Sequence, residues 1–256
     1  MWLPAASVSD SADDGACLPC HPARSGGSAV TQPQRAPQPG LALSWSGGKD
    51  SALALWTLRR QEREPAALIT TVTDAYERIS MHGVRRELLV QQADALGLPL
   101  VEIFIPPTCS NGVYDGRMAQ AFARPPLCAV EEVAFGDLFL EDVRAYREER
   151  LAAGGRRGLF PLWGRSTAEL AREFVAAGFE AIIVCLDPRT LDPSFAGRRY
   201  DDRLLGDLPV GVDPCGENGE FHTFVYAGPI FSAPIACATG EIVARDGFVF
   251  CDVTAA

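Results

Sequence analysis

A stretch rich in glycine and hydroxyl side chains, SWSGGKDS at 44–51, directly follows the short apolar run 41–43. A turn of this composition between a strand and a helix directs backbone N–H groups and a helix N-terminus toward one point, an arrangement that binds anions. The hydroxyls of Ser44, Ser46 and Ser51 add side-chain donors. The stretch therefore predicts a phosphate-binding turn.

This turn differs from the longer phosphate loop G-x-x-x-x-G-K-[ST], in which the residue after the lysine offers a hydroxyl to magnesium. Leu43 stands where that pattern needs its first glycine, and Asp50 stands where it needs the serine or threonine. Lys49 is the only lysine among 23 lysines and arginines. A compact ammonium enters a crowded phosphate site where a guanidinium fork does not fit, so we expect a phosphate site of another kind.

A second group of reactive side chains lies at 213–223, in DPCGENGEFHT. Glu217 and Glu220 are three residues apart, flanked by glycines and next to His222. Such carboxylates can bind magnesium or ammonium, or take a proton from ammonium. The alternative is a glycine turn with both glutamates in solvent. Cys215 is expected to be structural rather than the nucleophile of a glutaminase.

Strands and helices alternate along 41–106, which is typical of a parallel sheet with right-handed crossovers. In such sheets ligands bind at the carboxyl ends of the strands, where the glycine turn, Thr73 and the Pro106-Pro107 pair would lie. The predicted strands are 41–45, 66–73, 98–106, 132–137 and 180–187, the predicted helices are 51–60, 84–96, 139–154 and 167–179, and an antiparallel pair is predicted around 241–253.

These elements predict an α/β protein with two domains. A nucleotide-binding domain at 40–135 would have helices on both faces of its parallel sheet, and a smaller α+β domain would occupy 136–256. Residues 1–39 are dominated by Ser, Ala, Pro, Gly and Gln and are expected to be a disordered tail. The C-x-x-C-H pattern at 17–21 matches a haem-attachment motif, which we interpret as incidental because no export signal accompanies it.

The segment S-G-G-x-D-S at 46–51 resembles the PP-loop motif of the N-type ATP pyrophosphatases, which have an adenine nucleotide alpha-hydrolase-like (HUP) fold. The resemblance implies that the turn holds the β- and γ-phosphates as a pyrophosphate leaving group and that AMP passes to an acceptor oxygen. It implies ATP and Mg²⁺ as cofactors, with Lys49 and Asp50 as catalytic residues and Asp50 as a metal ligand. The ATP-binding residues would be Ser44, Ser46, Gly47, Gly48, Lys49, Asp50, Ser51 and Thr73.

The segment at 215–223 resembles the C-G-E-x-G-E-[FY]-x-T signature of the diphthine–ammonia ligase family, as do "FGD" at 135–137 and "PLW" at 161–163. The resemblance implies that a carboxylate is adenylated by ATP and that ammonia or an amine then displaces AMP. Glu217, Glu220 and His222 would be further catalytic residues. The substrate-binding residues would be His82, Asp137, Arg144, Glu148, Cys215, Gly216, Gly219 and Thr223.

Two histidines depart from the eukaryotic and archaeal pattern of that family. His222 stands where those members usually carry an acidic residue, and His82 lies in SMHG at 80–83, where a tyrosine-containing segment is expected. These variants resemble a bacterial branch, which implies an acceptor other than diphthine. The acceptor would be a carboxylate on a small molecule or on a modified protein side chain.

The composition of the chain argues against several classes of protein. The formal net charge of −10 argues against a general nucleic-acid binder, which needs a basic surface. No apolar stretch approaches the roughly 20 residues that span a bilayer, so we expect a cytoplasmic protein with reduced cysteines and no membrane partner. A homodimer is one candidate assembly.

Two alternative functions remain. A PP-loop tRNA-modifying enzyme is disfavoured because the folded part has no C-x-x-C. A non-catalytic adenine-nucleotide-binding protein would leave Glu217 and Glu220 without a role.

Overall fold

The structure is a computed structural model that describes residues 40–74, 78–79 and 83–256. The first sheet of this part contains β1 (Gly40–Ser44), β2 (Ala67–Thr73), β3 (Arg78–Ile79), β4 (Leu100–Ile105), β5 (Val130–Ala134) and β6 (Arg157–Leu159). The second contains β7 (Glu180–Leu186), β8 (Phe221–Ala227), β9 (Cys237–Arg245) and β10 (Phe248–Ala255). The helices are α1 (Lys49–Arg60), α2 (Arg86–Leu96), α3 (Asn111–Phe122), α4 (Glu141–Ala153), α5 (Thr167–Ala176) and α6 (Asp202–Asp207).

Strand β1 lies at the centre of the first sheet. It pairs in parallel with β2 on one side and with β5 on the other, while β4 and β6 extend the sheet in parallel beyond these neighbours. Only β3 is antiparallel, against the end of β2. The chain thus fills one side of β1 before it crosses to the other, and ligands of open α/β sheets bind at such a reversal of strand order. The glycine turn follows β1 at this point.

The second sheet is antiparallel, with the strand order β8-β7-β10-β9. The predicted strand at 180–187 is its β7, and the predicted C-terminal pair is β9 with β10. A mixed α/β architecture with a mostly parallel sheet and helices on both of its faces is therefore confirmed. The domain boundary predicted near 135 stays a prediction, and the first sheet itself continues past that residue to β6.

The alternation of β1 explains how the sheet separates two apolar clusters. Leu41 and Leu43 point into a cluster that also contains side chains of α1, α2, α5 and the second sheet. Ala42 points the other way, into a cluster with Phe122 of α3 and Leu151 of α4. Because successive residues of a strand face opposite sides, three consecutive apolar residues are enough to bury β1 on both faces.

Each strand and helix predicted from the sequence is present, with ends shifted by up to four residues. Several elements were not predicted, most importantly β8 and α3. Helix α3 contains two glycines and buries only Phe122, so its sequence lacks a clear apolar periodicity. The expectations for 1–39 and for His82 lie outside the described residues. None of the described helices is long and apolar enough to cross a membrane.

Candidate active site

The glycine turn is ordered by its own hydroxyl groups. The Ser51 hydroxyl donates to the Gly48 carbonyl at 2.9 Å and lies 3.3 Å from the Ser46 hydroxyl. The Ser46 hydroxyl oxygen also accepts from the Gly48 N–H at 3.3 Å. Gly47 has a φ of 78°, in the left-handed region that favours glycine. The turn is therefore a fixed connection between Ser44, at the end of β1, and the start of α1.

The Lys49 side chain is buried and reaches the second motif. Its Nζ lies 2.8 Å from Asp50 Oδ2, contacts the Cys215 carbonyl oxygen and lies 5.5 Å from the centre of the Phe221 ring. Burial is the largest effect and would lower the pKa of this lysine, but Asp50, through its charge and its hydrogen bond, together with Cys215 and Glu217 outweighs burial and holds the pKa above the usual value. An ammonium group held by an acidic neighbour thus lies where the glycine turn meets the segment at 213–223.

Strand β8 contacts the glycine turn through two further hydrogen bonds. The backbone N–H of Lys49 donates to the Thr223 hydroxyl at 3.0 Å, and the Val225 N–H donates to the Gly47 carbonyl at 2.9 Å. Thr223 is buried, so its hydroxyl satisfies an N–H of the first helical turn that has no partner inside the helix. The two motifs singled out in the sequence are therefore parts of one site.

Glu220 organises the loop that leads into β8. Its carboxylate accepts from the Asp213 N–H at 3.0 Å, from the Asn218 N–H at 2.9 Å and from the Asn218 side-chain amide at 3.0 Å. Burial would raise the pKa of this carboxyl, but the N–H donors outweigh burial and hold its pKa below the usual value. The same loop contains Gly216 (φ 66°) and Gly219 (φ 89°), both in the left-handed region. A carboxylate with three donors of its own loop is suited to hold that loop's shape.

Glu217 has a different environment. Its Oε1 accepts from the Leu138 N–H at 2.8 Å. Burial, together with the negative charges of Asp50 and Asp137, raises its pKa to about 7, against the opposing effects of Leu138 and Lys49. A carboxyl with a pKa near the working pH is suited to general acid–base chemistry. Of the predicted catalytic glutamates, Glu217 is the one whose proton equilibrium lies in the physiological range.

The FGD segment at 135–137 brings Glu217 to the start of α1. A methyl group on Gly136 would lie 2.7 Å from the backbone carbon of Asp50, so this segment packs directly on the first turn of the helix. Leu138, which binds Glu217, comes two residues after Gly136. Only glycine allows this approach, which explains why a short FGD segment accompanies the glycine turn.

Cys215 and His222 are both uncharged at neutral pH. The Cys215 thiol donates to the Thr167 carbonyl at 3.3 Å, and burial raises its pKa to about 12. His222 lies on β8 opposite Cys185, and burial, assisted by the charge of Lys49, lowers its pKa to about 4. A thiol with so high a pKa carries almost no thiolate, as expected for a structural cysteine.

The predicted substrate residues of the middle segment form two separate ion pairs. Asp137 pairs with Arg147 at 2.7 Å. Arg144 instead pairs with Glu148 at 2.8 Å, and its guanidinium carbon lies 4.8 Å and 4.7 Å from the ring centres of Phe160 and Trp163. The sequence therefore did not single out Arg147, although Arg144 and Arg147 are both arginines of the helix predicted at 139–154.

A cavity of about 710 Å³ lies between the first sheet and helices α3 and α4. Ser44 and Ser46 of the glycine turn line one part of it, and Ile69 and Thr71 of β2 and Phe135 after β5 line another. Thr73, predicted to bind the nucleotide, ends β2 but does not line this cavity. Further lining residues from the two helices, which the sequence did not suggest, include Tyr114, Tyr146, Arg147 and Arg150.

Asp50 provides the test for a magnesium ion. Its Oδ2 is engaged by Lys49, whereas its Oδ1 is buried and has no hydrogen-bond partner among the described residues. An unsatisfied carboxylate oxygen beside the glycine turn fits Mg²⁺, which is often held by one or two carboxylates together with phosphate oxygens. Within the described part of the chain, no group of three or more His, Cys, Asp or Glu side chains could hold a metal ion. An ion at Asp50 would therefore need phosphate oxygens as further ligands.

Comparison with known proteins gives matches over both halves of the chain. The model of the diphthamide synthase N-terminal domain matches residues 40–154, and that of the diphthamide synthase C-terminal domain matches residues 166–255. The diphthine–ammonia ligase of Rattus norvegicus is 32% identical over 136 residues, which is 48% of this chain and 48% of that protein. That of Danio rerio is 25% identical over 237 residues, which is 81% of this chain and 90% of that protein.

A solved protein described as a predicted tRNA methyltransferase subunit from Methanocaldococcus jannaschii is similar at a TM-score of 0.37 and 17% identity, over 57% of this chain and 80% of that one. The matched segment spans about half the length of the mammalian ligases. The two domain models, by contrast, together span most of residues 40–255 in the expected order. The chain therefore belongs to the diphthamide synthase family.

Proposed function

We propose that this protein is an ATP-dependent ligase that forms an amide bond. A carboxylate oxygen of the acceptor attacks the α-phosphorus of ATP, and pyrophosphate leaves. Ammonia or an amine then attacks the acyl carbon of the adenylate, AMP leaves with the oxygen that bound phosphorus, and a base accepts the proton that the nitrogen loses.

The observation that carries this proposal is the junction of the two motifs at Lys49. Its backbone N–H donates to Thr223, its ammonium contacts the Cys215 carbonyl, and its neighbour Asp50 lies close enough to Glu217 to raise the pKa of that residue. A phosphate-binding turn and a carboxyl group that titrates near neutrality thus occupy one small volume. Activation by ATP and proton removal from the nucleophile need these two functions side by side.

The lining of the cavity and the position of the glycine turn favour one orientation of bound ATP. The cavity wall of Ile69, Thr71 and Phe135 is suited to a planar base, while Ser44 and Ser46 connect the cavity to the glycine turn. The phosphates would then meet the N-terminus of α1, where the helix dipole favours negative charge. Charge that develops on departing pyrophosphate would be stabilised by this dipole and by Lys49.

Asp50 would hold magnesium through its unsatisfied Oδ1. When bound there, the ion supplies charge neutralisation for the phosphate oxygens. Glu217 would accept the proton from the attacking nitrogen, because its pKa of about 7 leaves a substantial fraction ionised at neutral pH. We assign Glu220, Gly216 and Gly219 to the shape of the loop, since the carboxylate of Glu220 is satisfied by loop donors. His222, uncharged at neutral pH, would contribute polarity rather than a proton.

The acceptor belongs to the class that the relatives' names indicate. The matched curated proteins are diphthine–ammonia ligases, whose name describes ammonia and diphthine, a modified side chain. We propose a carboxylate of that kind or a smaller analogue for this chain, and we retain Asp137, Arg144 and Glu148 as candidates for its recognition. Their ion pairs would have to open or rotate to meet it.

Isotope exchange between pyrophosphate and ATP tests the first step. Purified protein is incubated with ATP, magnesium and labelled pyrophosphate in the presence of candidate carboxylates, and products are separated by chromatography. The expected result is acceptor-dependent label in ATP, with AMP formed once ammonia is added. Formation of ADP instead of AMP would contradict cleavage between the α- and β-phosphates. Lys49→Met removes the ammonium group and is the negative control, which should show no exchange.

A further inference from the structure

The side chain of Gln92 on α2 connects three segments of the site. It is fully buried. Its Oε1 accepts from the indole N–H of Trp45 at 2.9 Å, and its Nε2 donates to the Gly47 carbonyl at 3.1 Å and to the Val225 carbonyl at 2.5 Å. The donor–acceptor pattern of these partners allows only one orientation of the carboxamide. A buried amide with both of its ends used in this way is held rigidly.

The partners of Gln92 are the parts of the site that must keep a fixed spacing. Gly47 belongs to the glycine turn, and Val225 belongs to β8, where it already donates to the Gly47 carbonyl. Thr223, two residues earlier on β8, caps the Lys49 N–H. Trp45 lines the cavity. Any shift of β8 relative to the turn would therefore reach both the first turn of α1 and the cavity wall.

We propose that Gln92 is a positioning residue for nucleotide binding, which holds the glycine turn and β8 at the spacing that the phosphate site needs. This inference rests on the proposed function. The turn packs directly on the amide, because a methyl group on Gly47 would lie 2.8 Å from Gln92 Oε1. The amide acts through the backbone of the turn and does not itself touch ATP.

The sharpest test replaces the amide by a carboxyl of the same shape. Gln92→Glu keeps an acceptor for Trp45 but places an oxygen against two carbonyl groups, unless the carboxyl is protonated, when it can donate to one of them. Burial raises the pKa of such a group. The affinity for ATP is measured by calorimetry with magnesium at pH 6 and at pH 8.5, for this variant and for the wild type. We expect the loss of affinity between the two pH values to be about tenfold larger in the variant than in the wild type. Gln91→Glu adds the same charge at the next position and should follow the wild type.

Gln92→Met removes the polar atoms without adding a charge, and Gln91→Met is its control. Binding of ATP should weaken about tenfold at every pH for Gln92→Met and should remain near the wild-type value for Gln91→Met. Circular dichroism and thermal unfolding show whether both variants are folded at the assay temperature. Folded Gln92 variants that bind ATP like the wild type would overturn the positioning role. Loss of folding in both Gln92 variants would assign the residue to the core alone and would overturn it as well.

ATP binding by the wild-type protein separates the positioning role of Gln92 from the proposed function. If the wild-type protein does not bind ATP, the proposed function is wrong and the positioning role is lost with it. If the wild type binds ATP and the Gln92 variants bind equally well, only the positioning role is wrong.

Discussion

The backbone N–H of Lys49 donates to the hydroxyl of Thr223 at 3.0 Å, although the two residues are 174 positions apart. The donor belongs to the first turn of α1, immediately after the glycine turn, and the acceptor belongs to β8 of the second sheet. Helix N-termini are normally capped by a neighbouring residue, and Gly48 has no side chain for this purpose. The cap therefore comes from the other motif, which couples the stability of the turn to the placement of β8.

Replacing Thr223 tests this coupling. Thr223→Val keeps the shape of the side chain but leaves a buried N–H without its acceptor, so the free energy of unfolding should fall by about 1–3 kcal/mol, and ATP binding should weaken in parallel. Thr223→Ser retains the hydroxyl and is the control. Urea unfolding and calorimetric ATP titration measure the two effects. Equal behaviour of the valine and serine variants would show that the hydroxyl is not needed.

The pH dependence of the amide-forming step should report Glu217. A base works in its ionised form, so the rate of ammonia-dependent AMP formation should rise with pH through the pKa of Glu217, about 7. In Glu217→Gln this limb should disappear and the rate should fall about 100-fold or more, while the amide oxygen can still accept from Leu138. A variant that retained the limb near pH 7 would exclude Glu217 as the base.

Glu220→Gln is the contrasting variant. The pKa of Glu220 is held below its usual value by N–H donors, so the carboxylate contributes stability that is present above the ordinary pKa of glutamate and is lost as the pH falls through the lowered value. The glutamine variant should lose about 1 kcal/mol of unfolding free energy at pH 7 and keep the activity limb near pH 7. Disappearance of that limb would instead make Glu220 the base.

Cys215 should be dispensable for chemistry. Because burial raises the pKa of its thiol to about 12, alkylating reagents at pH 8 should leave it unmodified in the folded protein, while the exposed Cys128 reacts. Peptide mass spectrometry measures this difference. Cys215→Ala should keep pyrophosphate exchange within about threefold, at a cost near 1 kcal/mol of stability for the lost packing. Rapid modification of Cys215 with loss of activity would contradict the structural assignment.

His222 should destabilise the protein in mild acid. Its pKa is lowered to about 4 in the folded state, below the ordinary value near 6.5, so the unfolded chain binds this proton first. Stability therefore falls as the pH decreases from about 6.5 toward 4. His222→Gln should remove about 1–2 kcal/mol of this loss at pH 4.5, as measured by urea unfolding across the pH range. An unchanged pH dependence would show that His222 titrates normally.

Local patterns were enough to predict the strands and the helix next to the glycine turn. A short apolar run precedes the glycine turn, apolar residues at helical spacing follow it, and the segment at 66–73 is β-branched and apolar. The strands β1 and β2 and the helix α1 form there. Strand β8 was missed because its residues were considered only as a motif. Its buried Phe221, Thr223 and Val225 alternate with His222 and Tyr226, although Phe224 is buried as well.

For the site residues too, the sequence showed which residue types are present but not what each of them does. The residue types of the glycine turn and of the segment at 215–223 were visible in the sequence, but their roles were not. Glu217 and Glu220 look equivalent as letters, yet one binds a single N–H beside two other carboxylates and the other is satisfied within its own loop. Gln92 gave no signal at all, because a buried glutamine in a helix is recognised only from its partners.

The sequence by itself determined that a short glycine turn with a lysine follows a strand of the sheet and that a second segment rich in glycine and glutamate lies at 215–220. Only the tertiary structure decided that Lys49 and Thr223 meet, that Arg147 rather than Arg144 pairs with Asp137, and that Glu217 titrates near neutrality. The physical reason is that hydrogen bonds and pKa values depend on the distance and burial of groups. Those quantities arise from contacts between residues far apart in the chain, which local sequence patterns do not encode.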